Sequence, residues 1–232
     1  MKSGIIYRGP SLYDGASIVV IATYSKRNTK TGGVVQTYIL CEDIDPRDAS
    51  KSGADASICG TCPHRGEVTT DPARKIAKRR TCYVNLGQGV LMAWRAFQRG
   101  VYPDATRARF RAAIGSGRVV RIGTYGDPAA VPEHVWTDLL SKAASHTAYT
   151  HASGWRPDLA MQSADTYLQA RAAWAKGQRT FRVVQGVDEI DLENEVLCPA
   201  SKEAGKRTTC AACKLCGGTS TRSRKSIAIP MH

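Results

Sequence analysis

The sequence predicts an α/β protein: a partial (β/α) barrel-like core with an N-terminal β-hairpin and cysteine-rich metal-binding loops. Three observations carry that expectation. Two β-branched runs flank a polar turn near the N-terminus. Strand-like and helix-like patterns then alternate from residue 82 to residue 184. Short-spaced cysteines bracket that alternation on both sides. The expected organisation is a hairpin region over 1–57, an α/β core with the first cysteine set over 58–184, and a cluster-binding segment over 185–232.

Taken in order, Ser17 to Tyr24 and Val34 to Leu40 read as strands, and Ser25 to Gly33 as the turn between them. Residues 41–81 show little periodicity and many turn formers, so they read as one long loop anchored by a bound metal. Val90 to Phe97 has helical spacing and stops at Gly100; Cys82 is expected at the start of that helix. Asp104 is placed to cap a helix from Ala105 to Ile114, closed by Gly115. Arg118 to Tyr125 reads as a strand ending in the turn Gly126-Asp127-Pro128. Pro132 suits the first turn of a helix through Ala144, with Val135, Trp136, Leu139, Leu140 and Ala143 as its apolar stripe. Thr147 to Thr150 is a short strand, Ser163 caps a helix running to Lys176, Thr180 to Val184 is a strand, and Ile227 to Ile229 a last one. Such alternation implies parallel strands joined by crossover helices.

The 232 residues carry 33 Lys+Arg against 20 Asp+Glu, a net charge of +13. The longest clean apolar run, Ile18 to Ala22, is far short of the ~20 residues of a spanning helix. The first residues lack the apolar stretch of a secretion signal, so a cytoplasmic location is expected and no membrane partner. In a reducing compartment, clustered cysteines point to metal or cluster binding more than to disulfides.

Cys198, Cys210, Cys213 and Cys216 form C-x11-C-x2-C-x2-C. Two-residue gaps let a turn bring neighbouring sulfurs to one centre, and the tight triple is closer to ferredoxin-type [4Fe–4S] spacing than to the separated pairs of zinc sites. Cys59, Cys62 and Cys82 form a second set, C-x2-C-x19-C. Cys41 is its candidate fourth ligand and His64 a competing one, although His64 reads more simply as a solvated loop histidine; three thiolates alone leave one iron open. One or two [4Fe–4S] clusters are therefore expected, with zinc as the alternative metal, and one mixed centre drawing on both sets stays open.

Sites in open α/β sheets and barrels sit at the C-terminal ends of strands. Asp127 and His151 both fall there and are the candidate catalytic residues, though Asp127 also suits a plain turn or cap. Glu42, Asp43 and Asp45 read as solvated turn residues. No P-loop, dinucleotide fingerprint or nucleophile elbow occurs.

The segments Ile58 to Pro63, Thr81 to Gly87, Val120 to Pro128 and Thr147 to His151 resemble phage-encoded cysteine-rich proteins of unknown function, which in layout resemble radical-SAM enzymes. The resemblance spans 58–151, or 58–216 at its widest. It implies a partial (β/α) barrel carrying a [4Fe–4S] centre, a reactive set at Cys59, Cys62 and Cys82, an auxiliary set at Cys198, Cys210, Cys213 and Cys216, and a bacterial host cell. The C-x3-C-x2-C spacing of radical-SAM enzymes does not occur here, which leaves S-adenosylmethionine binding open.

Basic residues concentrate in segments 74–80 and 206–225. Two four-thiolate clusters at about −2 each would still leave the chain near +9. DNA or RNA contact through these segments is the expected partner interaction, sequence-blind and salt-sensitive. The acidic run Asp188 to Glu195 opposes it locally.

Overall fold

In the computed structural model, which describes residues 1–25, 31–205, 208–221 and 223–231, the chain opens with an antiparallel ribbon. β1 (Ser3–Pro10) pairs with β2 (Ser17–Ser25), and β2 with β3 (Val34–Cys41). Residues 26–30 of the expected turn lie outside the described residues. Ile18 to Ala22 are completely buried, which is why this strand reads as an unbroken apolar run and not as an alternation.

Beyond β3 every pairing between the strands described is parallel. The stretch expected as a bare loop holds two short helices, α1 (Pro46–Ser52) and α2 (Ala56–Cys59). Asp45 is the N-cap of α1, its carboxylate accepting from Arg47 N–H, Pro46 occupies the first turn, and Gly53 closes the helix in the left-handed conformation. These helices are too short to leave a periodic signal. Glu42 is buried at the foot of this stretch and ion-paired with Arg8, so it and Asp45 are structural groups and not solvated turn residues.

α3 (Leu91–Gln98) follows an irregular turn over 86–90, leaving Cys82 outside any helix or strand, well before the helix it was expected to start. α4 (Ala108–Gly115) begins later than expected, because the Asp104 carboxylate accepts from Thr106 N–H in a local turn and caps no helix. β4 (Val119–Tyr125) then pairs with β3. α5 (Glu133–Leu140) ends four residues before Ala144, and β5 (Ser145–Thr150) pairs with β4. Ser163 lies within β6 (Met161–Ala164), a strand the sequence pattern hid; Thr166 is the true cap of α6 (Tyr167–Trp174), sharing a capping box with Gln169. β7 (Thr180–Val184) and β8 (Glu195–Leu197) follow, then α7 (Cys210–Cys213) and β9 (Ser226–Pro230).

The result is one nine-stranded sheet ordered β1-β2-β3-β4-β5-β6-β7-β9-β8, parallel from β3 onward. It runs without interruption through 1–57, 58–184 and 185–232. Val120, Ile122 and Ala148 form one core with Ile114, Val135, Trp136 and Leu139 of α4 and α5. The alternate residues, Arg121 of β4, Tyr149 of β5 and Phe181 of β7, turn to the other face. The Tyr149 and Phe181 rings meet there at 4.5 Å between centroids.

Gly126 shows why the end of β4 can turn so tightly. Its φ is +84°, and a Cβ would stand 2.6 Å from the Cβ of Ile39. No side chain fits between β3 and β4 at that point.

No helix among the described residues is long and apolar enough to cross a membrane.

Candidate metal centre at the strand ends

The loop after β3 carries the first thiol set. Cys59 ends α2, and Cys62 follows one tight turn later. Asp55, almost fully buried, accepts from Arg65 Nε and Nη2 at 2.9 and 2.7 Å. Arg65 also donates to the Gly60 and Gly53 carbonyls, which pins the turn around the two cysteines. Cys82 arrives from much further along the chain, its N–H donating to the His64 carbonyl at 3.1 Å. The Cys59 sulfur lies deep although part of the residue reaches solvent. Burial, then Asp55, then Cys62 and Cys82 push its thiol well up. The Cys82 thiol is also raised by burial, with Arg80 acting against it. All three sulfurs therefore feel one another.

The strand ends supply the facing groups. Asp127 follows β4, His151 follows β5 and Asp165 follows β6. Asp127 is buried and fully engaged: it accepts from Ala129 N–H at 3.0 Å, Thr150 Oγ1 at 2.7 Å and His151 N–H at 2.8 Å. It is thus a capping and positioning group, and the rim it shares with His151 is real geometry. His151 Nε2 stands 3.3 Å from Asp165 Oδ1 and 3.9 Å from Cys62 Sγ. His64 Nε2 approaches the same Asp165 Oδ1 at 2.9 Å, while its Nδ1 lies 2.8 Å from Thr81 Oγ1. Burial works against charge on His151, but hydrogen bonds to Asp165 and Cys62 outweigh it and lift its pKa to about 10. The same contacts, His151 first, hold the Asp165 carboxyl well below the usual carboxylate range.

The second thiol set lies against the face of the sheet that carries Tyr149. Cys198 follows β8, its N–H donating to the Ala228 carbonyl. Cys210 and Cys213 begin and end α7, and Lys214, left-handed at φ +59°, turns the chain back so that Cys216 reaches β5. Burial pushes the Cys216 thiol up to about 12; a hydrogen bond from Tyr149 opposes this, and Cys198, Cys210 and Cys213 add to it. Arg121 lies between the two sets. It donates to the Tyr83 hydroxyl, one residue past Cys82, at 2.7 Å, and it feels the charge of Cys210.

The donor chemistry fits soft metal chemistry at both places: three thiols at one, four thiols at the other. No disulfide joins any of the eight cysteines. Among the described residues, His64, His151 and Asp165 bring donor atoms within 4.8 Å of one another, and no three thiols close to that spacing. A single tetrahedral zinc with ~2.3 Å bonds to sulfur needs thiols closer than that.

Cys41 stands apart from this group. It ends β3, buried, with its Sγ donating to the Ala54 carbonyl at 3.5 Å and its nearest charges those of Asp55 and Asp14. Of the basic segments, Arg74, Lys75, Lys78 and Arg79 are exposed, Arg79 pairing with Glu67. Lys206, Arg207 and Arg222 lie outside the described residues. Asp165 is the site residue that sequence reasoning missed. Its signal is positional only, since it follows a four-residue strand whose middle, Gln162-Ser163, is polar.

Two clefts meet at His151. One, of about 380 Å³, is lined by Tyr13, Cys59, Gly60, Arg65 and His151. The other, of about 430 Å³, is lined by His151, Asp165, Ser153, Gln162 and Gln169. Comparison of the chain with protein-family models, curated proteins and solved structures gives no match in any of the three.

Proposed function

We propose that the chain is an iron–sulfur protein with two [4Fe–4S] centres, one held by Cys59, Cys62 and Cys82 and the other by Cys198, Cys210, Cys213 and Cys216. What carries the reading is the convergence of thiols from remote stretches of chain. Cys59 feels Cys62 and Cys82, and Cys216 feels Cys198, Cys210 and Cys213. Thiols that gather in one place without closing to the spacing of a single ion suit a cluster better than zinc.

The consecutive strands β3 to β7, in chain order and parallel, support reading the sheet as an incomplete (β/α) barrel. The three-cysteine loop follows β3, the first parallel strand, and faces the rim where sites gather in such sheets. Three protein thiolates leave one iron position to be filled from the cleft beside Cys59. A radical-SAM-like activity at that position is the catalytic form of the proposal. The residues of the chain contribute positioning: Arg65 holds the cysteine turn, and Asp127 holds His151 over the cleft.

Anaerobic purification followed by iron and acid-labile sulfide analysis tests it. About eight irons and eight sulfides per chain are expected, at about four per centre. Cys213→Ser and Cys62→Ser should each remove about half. Stoichiometric zinc without sulfide would overturn the reading.

A second reading, nucleic-acid contact, rests on the exposed Arg74, Lys75, Lys78 and Arg79 beside Cys82. It calls for DNA or RNA binding whose log affinity falls linearly with log salt. Absence of binding at low salt removes it.

A further inference from the structure

We propose that His64, His151 and Asp165 form a mononuclear site for a divalent first-row transition metal beside the first cysteine set, His151 Nε2 lying 3.9 Å from Cys62 Sγ, with ligands of its own. The inference does not depend on the iron–sulfur reading.

Three features of the trio support it. The first is convergence on one point. Both imidazoles aim Nε2 at the same oxygen, Asp165 Oδ1, at 2.9 and 3.3 Å. Neutral imidazole nitrogens and a carboxylate are all lone-pair donors to a metal. Three of them gathered within 4.8 Å must be held together by shared protons or by one cation. A single divalent ion satisfies all three at once.

The second is the donor set itself. Two histidines and one carboxylate, with other positions open, are the set that suits iron(II) or zinc and disfavours calcium or magnesium, which prefer oxygen alone.

The third is a support for the ring that a chance contact would lack. His64 Nδ1 lies 2.8 Å from Thr81 Oγ1, so its second nitrogen is already engaged and Nε2 is left for the metal. His151 is fixed through its backbone, its N–H bound to Asp127 Oδ2 at 2.8 Å. The rings stand edge to face, 5.7 Å between centroids, and so do not stack over the shared point.

The three ligands come from separate parts of the fold: the turn after Cys62, the end of β5 and the end of β6. A site assembled from separate elements is rigid only when the fold is complete. The cleft of about 430 Å³ borders both His151 and Asp165, which leaves open coordination positions reachable from solvent. Ser153, Gln162 and Gln169 line it with hydroxyls and amides, a lining that suits a small hydrogen-bonding ligand on the ion.

Equilibrium dialysis of the anaerobically purified full chain against Co(II), with elemental analysis and cobalt-edge X-ray absorption, tests the proposal. The wild type should take up one Co(II) per chain with nitrogen and oxygen neighbours. His64→Gln and Asp165→Asn should each weaken that uptake at least tenfold, with thermal melts verifying the fold. Thr81→Ala should weaken it less, and Cys213→Ser should leave it unchanged. Uptake equal to wild type in both His64→Gln and Asp165→Asn overturns the site, as does cobalt surrounded by sulfur alone. Failure of the iron–sulfur reading would appear in iron and sulfide content; cobalt then taken up by the vacant thiols would show sulfur neighbours and would persist in His64→Gln and Asp165→Asn, apart from the nitrogen–oxygen site.

Discussion

The carboxylate of Asp127 accepts the backbone N–H of His151 at 2.8 Å, tying the end of β4 to the end of β5. Two further donors, Thr150 Oγ1 and Ala129 N–H, share the same buried group. Asp127→Ala strips three donors of their acceptor and leaves Thr150 buried without it. It should lower the unfolding free energy by about 2–3 kcal/mol, read by urea denaturation. It should also loosen His151 and reduce Co(II) uptake at the rim. Asp127→Asn, which keeps one acceptor oxygen, should lose less of both. A variant as stable as wild type would show that Asp127 does not organise the strand ends.

The hairpin was legible because Ile18 to Ala22 is apolar on both faces, and β4 because its β-branched run ends at the turn Gly126-Asp127-Pro128. β6 and β8 were hidden by their length, four and three residues, and by side chains such as Gln162 and Glu195 that pair internally. The close cysteine pairs could be read from spacing, since two-residue gaps impose proximity. Membership across long gaps could not. Cys41 illustrates this: it lies nearest the first set in sequence, yet its thiol points to the Ala54 carbonyl. Cys41→Ala should therefore leave iron and sulfide content unchanged while costing about 1 kcal/mol of stability. Loss of half the iron in this variant would make Cys41 a ligand after all.

Arg179 fastens the second cysteine segment to the sheet. It is nearly buried at the start of β7, and its Nη1 donates to the Leu215 and Gly218 carbonyls and to Thr221 Oγ1. Nε and Nη2 both reach the Lys225 carbonyl. Lysine has no planar fork to span these acceptors. Arg179→Lys should destabilise the chain by about 3 kcal/mol and expose residues 208–221 to protease before the rest. If the second set holds a cluster, the variant should lose about half of its iron and keep the half held near Cys59. Unchanged proteolysis would contradict the clamp.

Arg182 and Glu195 form a bidentate pair between β7 and β8, at 2.9 and 2.6 Å, with Glu195 completely buried. The acidic run that was expected to repel a nucleic-acid backbone thus spends this carboxylate inside the fold. Removing one partner leaves the other charge buried alone. Glu195→Ala should cost about 3–5 kcal/mol, and Arg182→Met combined with Glu195→Leu should recover most of it. A double-mutant cycle by chemical denaturation reads the coupling. Near-zero coupling would mean the pair is incidental to β8 docking.

His146 makes stability depend on pH in a direction that can be worked out. Its Nε2 lies 2.9 Å from the Leu159 carbonyl, so the neutral ring donates there. Burial lowers its pKa, with the Leu159 carbonyl and Asp158 acting against the shift. The unfolded chain takes up a proton on this ring near pH 6.5, and the folded chain resists it. Below that value the unfolded state binds more protons than the folded state, so stability must fall as pH falls. The contribution is present in full above about pH 6.5 and is lost progressively beneath it. Denaturant midpoints for the wild type should therefore drop between about pH 7 and about pH 5. His146→Gln, which keeps a donor to Leu159 and cannot be protonated, should show a flatter profile over that range. Because the comparison is between two chains that share every other titrating group, identical slopes would remove His146 as the cause.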